Sequence, residues 1–111
     1  VSSGLNGEQF QFHTYLPIKE VELSKKLKRM IHQVQNENIS QVFIETPYRN
    51  VKLLKLLLNK CPSKMFLSIA MNLTAADEQI ITKSIGNWKG GKIDLHKKPC
   101  VFILGNMSIG I

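Results

Sequence analysis

The sequence predicts one α/β domain whose mixed, largely parallel sheet has about four to five strands flanked by helices. Short apolar runs typical of strands alternate with segments whose apolar residues recur every three or four positions, as in helices. The chain has 111 residues, enough for one core, and its 43% hydrophobic and 21% charged residues are typical of a globular domain. No repeat or internal boundary divides it, so residues 1–111 form a single predicted domain.

The first predicted elements are a strand, a helix and a second strand. Residues 9–15 alternate strictly, with Phe10 and Phe12 on one side, which predicts a half-buried strand. An amphipathic helix is predicted over 20–38 because apolar residues recur there at helical spacing. These apolar residues are Leu23, Leu27, Met30, Ile31 and Val34. Residues 41–45 then predict a second, more fully buried strand.

A second helix is predicted directly after this strand. Thr46 is a good N-cap, and Pro47 suits the first helical position because its missing N–H would be unpaired there. The leucine-rich stretch that follows is apolar on one face. It is expected to end at Cys61-Pro62, because proline cannot continue a helix.

The second half of the chain is predicted to alternate in the same way. Residues 65–71 form an apolar run without polar alternation, as in a strand covered on both faces. Thr74, with acids behind it, resembles a helix start, and Ser84 can cap a further short helix. Residues 93–95 are compatible with a short strand, and 100–104 predict the last strand.

The charge of the chain is compatible with a polyanionic partner but does not require one. Lysine and arginine number 15 against 8 acids, giving a net charge of +7 and a pI near 9.6. Such a balance favours partners such as RNA. The cations are spread along predicted helices, however, so solvated helix faces explain most of them.

Several features limit the chemistry. Cys61 and Cys100 lie far apart and outside any metal-binding spacing, which predicts free, partly buried thiols in a reducing cytoplasm. His13, His32 and His96 lie on separate elements, so no metal site is expected. No apolar run approaches the roughly 20 residues of a membrane span. The chain has no initiator methionine and no signal peptide, which predicts a piece of a longer cytoplasmic protein.

The candidate site lies where the predicted strands meet their loops. In open α/β sheets, ligands collect beyond the carboxyl ends of the strands. Three stretches fit that position, namely 45–49, 71–74 and 99–100. No nucleophile triad, phosphate loop or metalloprotease motif occurs, so a complete catalytic apparatus is not expected.

The first of these stretches also has a purely structural alternative. Thr46 could serve only as a helix cap, worth about 1 kcal/mol. Glu45 could then pair with Arg49 on the adjacent turn. Spacing alone leaves both interpretations open.

Four short motifs, taken in order, resemble a known family. They are Ser3-Gly4-Leu5, Tyr15-Leu16-Pro17-Ile18-Lys19, Glu45-Thr46-Pro47-Tyr48-Arg49, and Ala70-Met71-Asn72-Leu73-Thr74 followed by Glu78. The order and spacing resemble the C-terminal domain of the tetrapyrrole (corrin/porphyrin) methylase superfamily of S-adenosylmethionine-dependent methyltransferases. The resemblance covers almost the whole chain and is closest to the branch that methylates ribose 2′-hydroxyls in small-subunit rRNA.

The sequence departs from that branch at two places. Met71-Asn72 stand where the ribosomal enzymes have Arg-Glu, and Ser84 stands where a glycine follows the acid. Two ionisable groups near the expected substrate side are therefore missing. The departures weaken the match to an rRNA substrate more than the match to methyl transfer.

The resemblance implies a cofactor and a set of site residues. S-adenosylmethionine would lie in a cleft between this domain and an N-terminal domain of the same polypeptide, which supplies a glycine-rich loop. The implied cofactor-binding residues are Gly4, Thr46, Pro47, Met71, Asn72, Leu73, Pro99 and Cys100. The substrate-side candidates are Glu45, Tyr48, Arg49, Thr74 and Glu78. No catalytic residue is identified.

These implications define the expected function. The full-length protein would be a methyltransferase, with this portion inactive alone and the acceptor an rRNA ribose 2′-hydroxyl. One alternative acceptor is a corrin, a porphyrin or another small molecule. An alternative of another class is a non-catalytic RNA- or protein-binding module that uses the basic helix. The family and the apolar strand edges also imply a homodimer, without membrane association.

Overall fold

Strands and helices alternate along the residues that the computed structural model describes, which are 9–46, 49–71, 79–89 and 100–106. The first four elements are β1 Phe10–Tyr15, α1 Glu20–Glu37, β2 Ser40–Glu45 and α2 Asn50–Lys60. The next four are β3 Phe66–Met71, β4 Gln79–Ser84, α3 Ile85–Lys89 and β5 Cys100–Gly105.

The five strands form one mixed sheet in the order β1-β2-β5-β3-β4. β1 and β2 are parallel, whereas β5 is antiparallel to both of its neighbours, β2 and β3. β4 is antiparallel to β3. Consequently β1, β2 and β3 run in one direction and β4 and β5 in the other. The mixed α/β sheet predicted from the sequence is confirmed.

The helices cover one face of this sheet, because right-handed crossovers carry α1 and α2 to the same side. On that face Phe43, Phe102 and Ile69 occupy one row of neighbouring strands and are fully buried. The two phenyl rings stack with centroids 5.5 Å apart. The helices contribute the buried residues Leu23, Leu27, Met30, Val34, Leu53, Leu54, Leu57, Ile85 and Trp88. The predicted apolar faces of α1 and α2 therefore form the core.

The opposite face of the sheet is open at its β1 side. Phe10, Phe12 and Tyr15 are 59%, 53% and 58% exposed. Exposure falls across the sheet, since Ser68 and Ala70 on β3 are buried. Half-buried residues lie between, namely Val42, Ile44, Val101 and Ile103. β1 is thus the strand that the sequence predicted, but it is mostly exposed rather than half-buried.

A bulge in β1 determines which side chains reach the open face. Phe12 pairs with Val42. Two positions further along β2, Ile44 pairs with Tyr15, which lies three positions after Phe12. The bulge therefore holds one extra residue in β1, and within it Thr14 has a left-handed backbone conformation with φ of 56°. Tyr15 therefore lies on the same face as the two phenylalanines, which strict alternation would not allow.

Most predicted elements are confirmed, and two predictions need correction. α2 begins at Asn50 rather than at Pro47. β4 was not predicted, although Ile80 and Ile81 supply the β-branched residues that favour a strand. Ser84 does cap α3, because its Oγ accepts the Asn87 N–H at 3.2 Å. The predicted helix start at Thr74 and the short strand at 93–95 lie outside the described residues.

Candidate functional site

Three corners of the chain meet at one end of the sheet, where β2 and β3 finish and β5 begins. This end of the sheet is called the candidate edge. Glu45, the last residue of β2, pairs with Cys100, the first residue of β5. Cys100 also pairs with Met71, the last residue of β3. Because neighbouring strands lie about 4.8 Å apart, Glu45 and Met71 are roughly 10 Å from each other. The edge predicted to form the site therefore brings together the described members of all three stretches.

Strand direction explains this convergence. β2 and β3 are parallel, so their carboxyl ends share one edge, and the antiparallel β5 brings its amino end there. Gln79, the first residue of β4, extends the same row because it pairs with Met71. Sequence analysis missed Gln79, since the strand that carries it was not recognised.

At the first corner, the buried carboxylate of Glu45 contacts both Thr46 and Arg49. Its side chain is buried, and its Oε1 accepts the Thr46 N–H at 2.8 Å. Its Oε2 lies 3.4 Å from a guanidinium nitrogen of Arg49. Within the described residues no group donates a hydrogen bond to Oε2, so Arg49 supplies the neutralising charge for this buried oxygen. This ion pair is the structural alternative that the sequence left open.

Thr46 is not a helix cap. Its hydroxyl faces the carboxylate of Glu45 at 3.5 Å, and its C=O accepts the Arg49 N–H at 3.0 Å. A turn therefore separates β2 from α2, and Arg49 occupies the N-cap without a side-chain hydrogen bond. The carboxylate of Glu45 engages Thr46, which the sequence predicted as the helix cap. α2 therefore begins later than predicted. The side chain of Thr46 is exposed at the edge.

Met71 and Cys100 bring the end of the apolar core to this edge. Both side chains are buried in the core on the helix-covered face.

The remaining predicted site residues lie outside the described residues. In the cofactor-binding set they are Gly4, Pro47, Asn72, Leu73 and Pro99. In the substrate-side set they are Tyr48, Thr74 and Glu78. Their predicted roles stay predictions.

The two cysteines are buried and are not bonded to each other. Burial raises the pKa of the Cys61 thiol to about 12. The thiol is therefore protonated at neutral pH, and it packs as a small apolar side chain beside α2. Cys61 lies at the far end of α2 from the candidate edge.

The described residues also bear on metal binding and on membrane insertion. In 9–46, 49–71, 79–89 and 100–106, no three histidine, cysteine or acidic side chains come together as possible metal ligands. No helix in the same ranges combines the length and apolar character of a membrane-spanning segment.

Comparison with solved structures places this architecture among known methyltransferase folds. The methyltransferase CobJ superimposes with a TM-score of 0.55 at 16% identity, over 90% of this chain and 42% of its own. Uroporphyrin-III C-methyltransferase from Thermus thermophilus, in complex with S-adenosylhomocysteine, gives 0.56 at 18% identity, over 94% and 47%. Its native form gives 0.55 at 18% identity with the same coverage.

These similarities establish the fold. The chain shares its mixed α/β architecture with part of each of these methyltransferases, and it spans less than half the length of each of them. No protein-family model and no curated protein sequence matches the chain.

Proposed function

We propose that this chain is the C-terminal half of an S-adenosylmethionine-dependent methyltransferase of the tetrapyrrole methylase superfamily. The observation that carries the proposal is the row from Glu45 through Cys100 to Met71, which unites the three predicted corners, two of them bearing motifs, on one edge. The shared fold supports it, because one protein with that fold is solved with S-adenosylhomocysteine. The four sequence motifs are a further support that does not depend on the fold.

The described residues fit an adenosine-bearing cofactor. The exposed side chain of Thr46 carries a hydroxyl, and Met71 and Cys100 bring the end of the apolar core to the edge. Ligand pockets are lined mainly by apolar groups with a few polar ones, so these residues suit the nucleoside part of the cofactor. When bound, S-adenosylmethionine supplies an activated methyl group on a sulfonium. The role of this chain is to bind the cofactor and to orient it toward the acceptor. Such positioning accounts for much of the acceleration in methyl transfer.

For the acceptor, we propose a tetrapyrrole. Two of the solved structures are named for methylation of uroporphyrin-III. Met71 also stands where the ribosomal branch has an arginine, so this chain lacks a cation expected near an RNA substrate. An rRNA ribose 2′-hydroxyl is the second candidate, favoured by the motif from Glu45 to Arg49.

Cofactor binding can be tested by isothermal titration of S-adenosylhomocysteine. We propose that a second domain completes the cleft, since this chain spans 42% to 47% of the solved methyltransferases. The full-length protein should therefore bind, and the 111-residue chain should bind at least tenfold more weakly. A folded full-length protein that gives no heat of binding with S-adenosylhomocysteine would contradict the proposal.

The acceptor can be tested with radiolabelled cofactor. The full-length protein would be incubated with uroporphyrinogen III, with a precorrin, and with small ribosomal subunits. Label in the tetrapyrrole would support the first candidate, and label in rRNA would establish the second. Heat-denatured protein is the matched control for chemical methylation of either acceptor.

We also propose that the protein forms a homodimer through the open sheet face beside β1. Phe10, Phe12 and Tyr15 expose roughly 300 Å² of ring surface per copy. No charged side chain shares this face among the described strand residues, so two copies can meet without burying like charges. Two such patches give roughly 600 Å², below the ~1,200 Å² of a standard interface, which favours a weak dimer. Light scattering should show a mass that rises with concentration, and a constant monomer mass would contradict it.

A further inference from the structure

We propose that the valley between α1 and α2 binds an acidic amphipathic helix of a partner protein. This inference concerns the helix-covered side of the molecule and goes beyond the proposed methyl transfer. It depends on the shape, the floor and the charge of the valley.

Two cavities follow one another along the valley. The first, of about 260 Å³, lies where both helices begin, between Leu23 of α1 and Leu53 of α2. The second, of about 530 Å³, lies further along, between Lys28 and Lys60. Their α1 residues recur every three to four positions, and so do those of α2, so each helix turns one continuous stripe toward the other. Because α1 and α2 both follow parallel strands, they run side by side in the same direction.

The floor of the first cavity is aliphatic. Leu23 and Leu53 are buried, Leu56 is half-buried, and Ile18 at one mouth is 78% exposed. In the second cavity Ile31 is the one aliphatic residue among the described lining, which is otherwise polar or charged. The α2 stripe covers about 12 residues, or roughly 18 Å at 1.5 Å per residue. A helix of three turns, with apolar side chains at positions i, i+3 or i+4, and i+7, matches this length.

The rim of the valley is strongly basic. Among the described residues, six cations line the two cavities, against a single acid, Glu20. The six are Lys25, Lys28, Arg49, Lys52, Lys55 and Lys60. They come from both helices, so an occupant with apolar anchors and acidic flanks would meet positive charge on either side.

Arg49 is the most firmly placed of these cations. Its guanidinium is held beside the buried carboxylate of Glu45, whereas no acidic side chain of the described residues forms an ion pair with the lysines of the rim. A guanidinium has five N–H donors, so this contact leaves capacity for an incoming carboxylate. The pre-positioned arginine lies at the mouth nearest the candidate edge.

The chemistry favours a peptide over the other polyanions. Proteins bind single-stranded RNA by stacking bases on aromatic side chains, and none of the described residues that line the cavities is aromatic. A membrane surface would require apolar side chains that project outward, whereas Leu23 and Leu53 lie at the bottom of a concave valley. An acidic amphipathic helix uses both the floor and the rim.

The test uses a fluorescein-labelled 16-residue designed peptide with leucines at helical spacing and glutamates on both flanks. Its control is a peptide of the same composition in scrambled order. Fluorescence anisotropy with the protein should show at least tenfold tighter binding of the patterned peptide, weakening as salt rises. Equal binding of the two peptides, or no binding of either, would overturn the proposal.

Matched variants locate the binding. Lys28→Glu with Lys52→Glu reverses one charge on each side of the valley and should weaken patterned-peptide binding at least tenfold. Arg29→Glu with Lys64→Glu makes the same change of charge at exposed residues that do not line it, and should leave binding within twofold. Circular dichroism would confirm that both pairs fold.

Two outcomes would overturn the proposal despite binding. One is equal weakening in both pairs of variants, since net charge alone would then explain it. The other is a labelled 12-nucleotide RNA that binds more tightly than the peptide and is lost in the valley variants. Neither readout involves the methyl-donating cofactor, so failure here is distinguishable from failure of the proposed methyl transfer.

Discussion

The two faces of the sheet are built from similar apolar residues but are used differently. On the helix-covered face, Phe43 and Phe102 stack in a fully buried core. On the other face, Phe10, Phe12 and Tyr15 remain more than half exposed. Aromatic content alone therefore does not indicate which side of a strand is the core. The helices determine it, because they can cover only the side to which the crossovers direct them.

The covered face is expected to determine the stability of the folded chain, and the open face its association with other copies. Burial of an aromatic side chain in a packed core stabilises the folded chain, whereas an exposed ring contributes little until another surface covers it. We therefore expect substitutions on the covered face to change the free energy of unfolding. We expect substitutions on the open face to change the association of copies.

The largest expected effect comes from the same substitution made on each face. Phe102→Ala should lower the free energy of unfolding by about 3–5 kcal/mol, because it leaves a cavity against Phe43. Phe12→Ala, at a ring that is 53% exposed, should cost less than about 1 kcal/mol. Urea denaturation at low protein concentration measures both. Equal losses would contradict the distinction between the faces.

A second prediction concerns the β3–β4 side of the covered face. The indole N–H of Trp88 donates to the backbone C=O of Leu67 at 2.8 Å, in a buried setting. Trp88→Phe removes this buried hydrogen bond and part of the indole volume, and should cost about 1–3 kcal/mol. Lys83→Gln is the control, because it removes only the ammonium 5.1 Å from the same ring and should cost about 0.5–1 kcal/mol. If the control costs as much as Trp88→Phe, the hydrogen bond is not the main contribution.

A third prediction uses the pH dependence of stability. Burial holds the pKa of Cys61 at about 12 in the folded chain, against an ordinary value of 9.0. Above pH 9 the unfolded chain loses the thiol proton while the folded chain keeps it, so stability falls as pH rises toward 12. Below pH 9 both states are protonated and the thiol adds no pH dependence. The expected slope is up to about 1.4 kcal/mol per pH unit.

The measurement compares wild type with Cys61→Ala by denaturant unfolding between pH 7 and 11. Lysines and tyrosines titrate in both proteins, so the difference between their slopes isolates the thiol. Parallel pH profiles would show that Cys61 ionises in the folded chain as easily as in the unfolded chain.

The smallest expected effect on stability is at the open face. Tyr15→Ser should change the free energy of unfolding of the monomer by less than about 0.5 kcal/mol, because the ring is 58% exposed. In the proposed homodimer the same change should raise the dissociation constant at least fivefold. Sedimentation of both proteins over a range of concentrations measures this. Val21→Ser, at an exposed apolar residue of α1, is the control and should leave association unchanged.

Local sequence pattern predicted the elements with strong periodicity. α1 was recognised because its apolar residues recur on one face, and four of the five predicted ones are buried. β3 was recognised from its uninterrupted apolar run, and residues 67–71 are indeed buried. Such signals are local, so they do not depend on what the rest of the chain does.

The features that sequence missed depend on distant partners. The bulge at Thr14 is visible only against the register of β2. The exposure of Phe10 follows from which face the helices cover, which alternation cannot reveal. The start of α2 is a local exception: it was misplaced because the adjacent Glu45, rather than the helix backbone, engages Thr46. Capping preferences alone do not reveal which of these two contacts forms.

The sequence predicted the location of the candidate edge but not the directions of its side chains. The rule that ligands collect at the carboxyl ends of strands identified the three stretches. It did not reveal that Met71 and Cys100 turn their side chains into the core. It also did not reveal the valley between α1 and α2, whose cations are interspersed among other residues in the sequence and meet only when the two helices lie side by side.

The position of β5 has a consequence for how the protein is made. β5 is the last of the described strands, yet it lies in the middle of the sheet and joins β2 to β3. While the ribosome synthesises the chain, β1 and β2 can pair as one half-sheet and β3 and β4 as another, each with an uncovered edge. The two halves unite only when β5 emerges, so cooperative folding should wait for the final strand. Nascent chains released before Cys100 should consequently be exposed to proteolysis and aggregation.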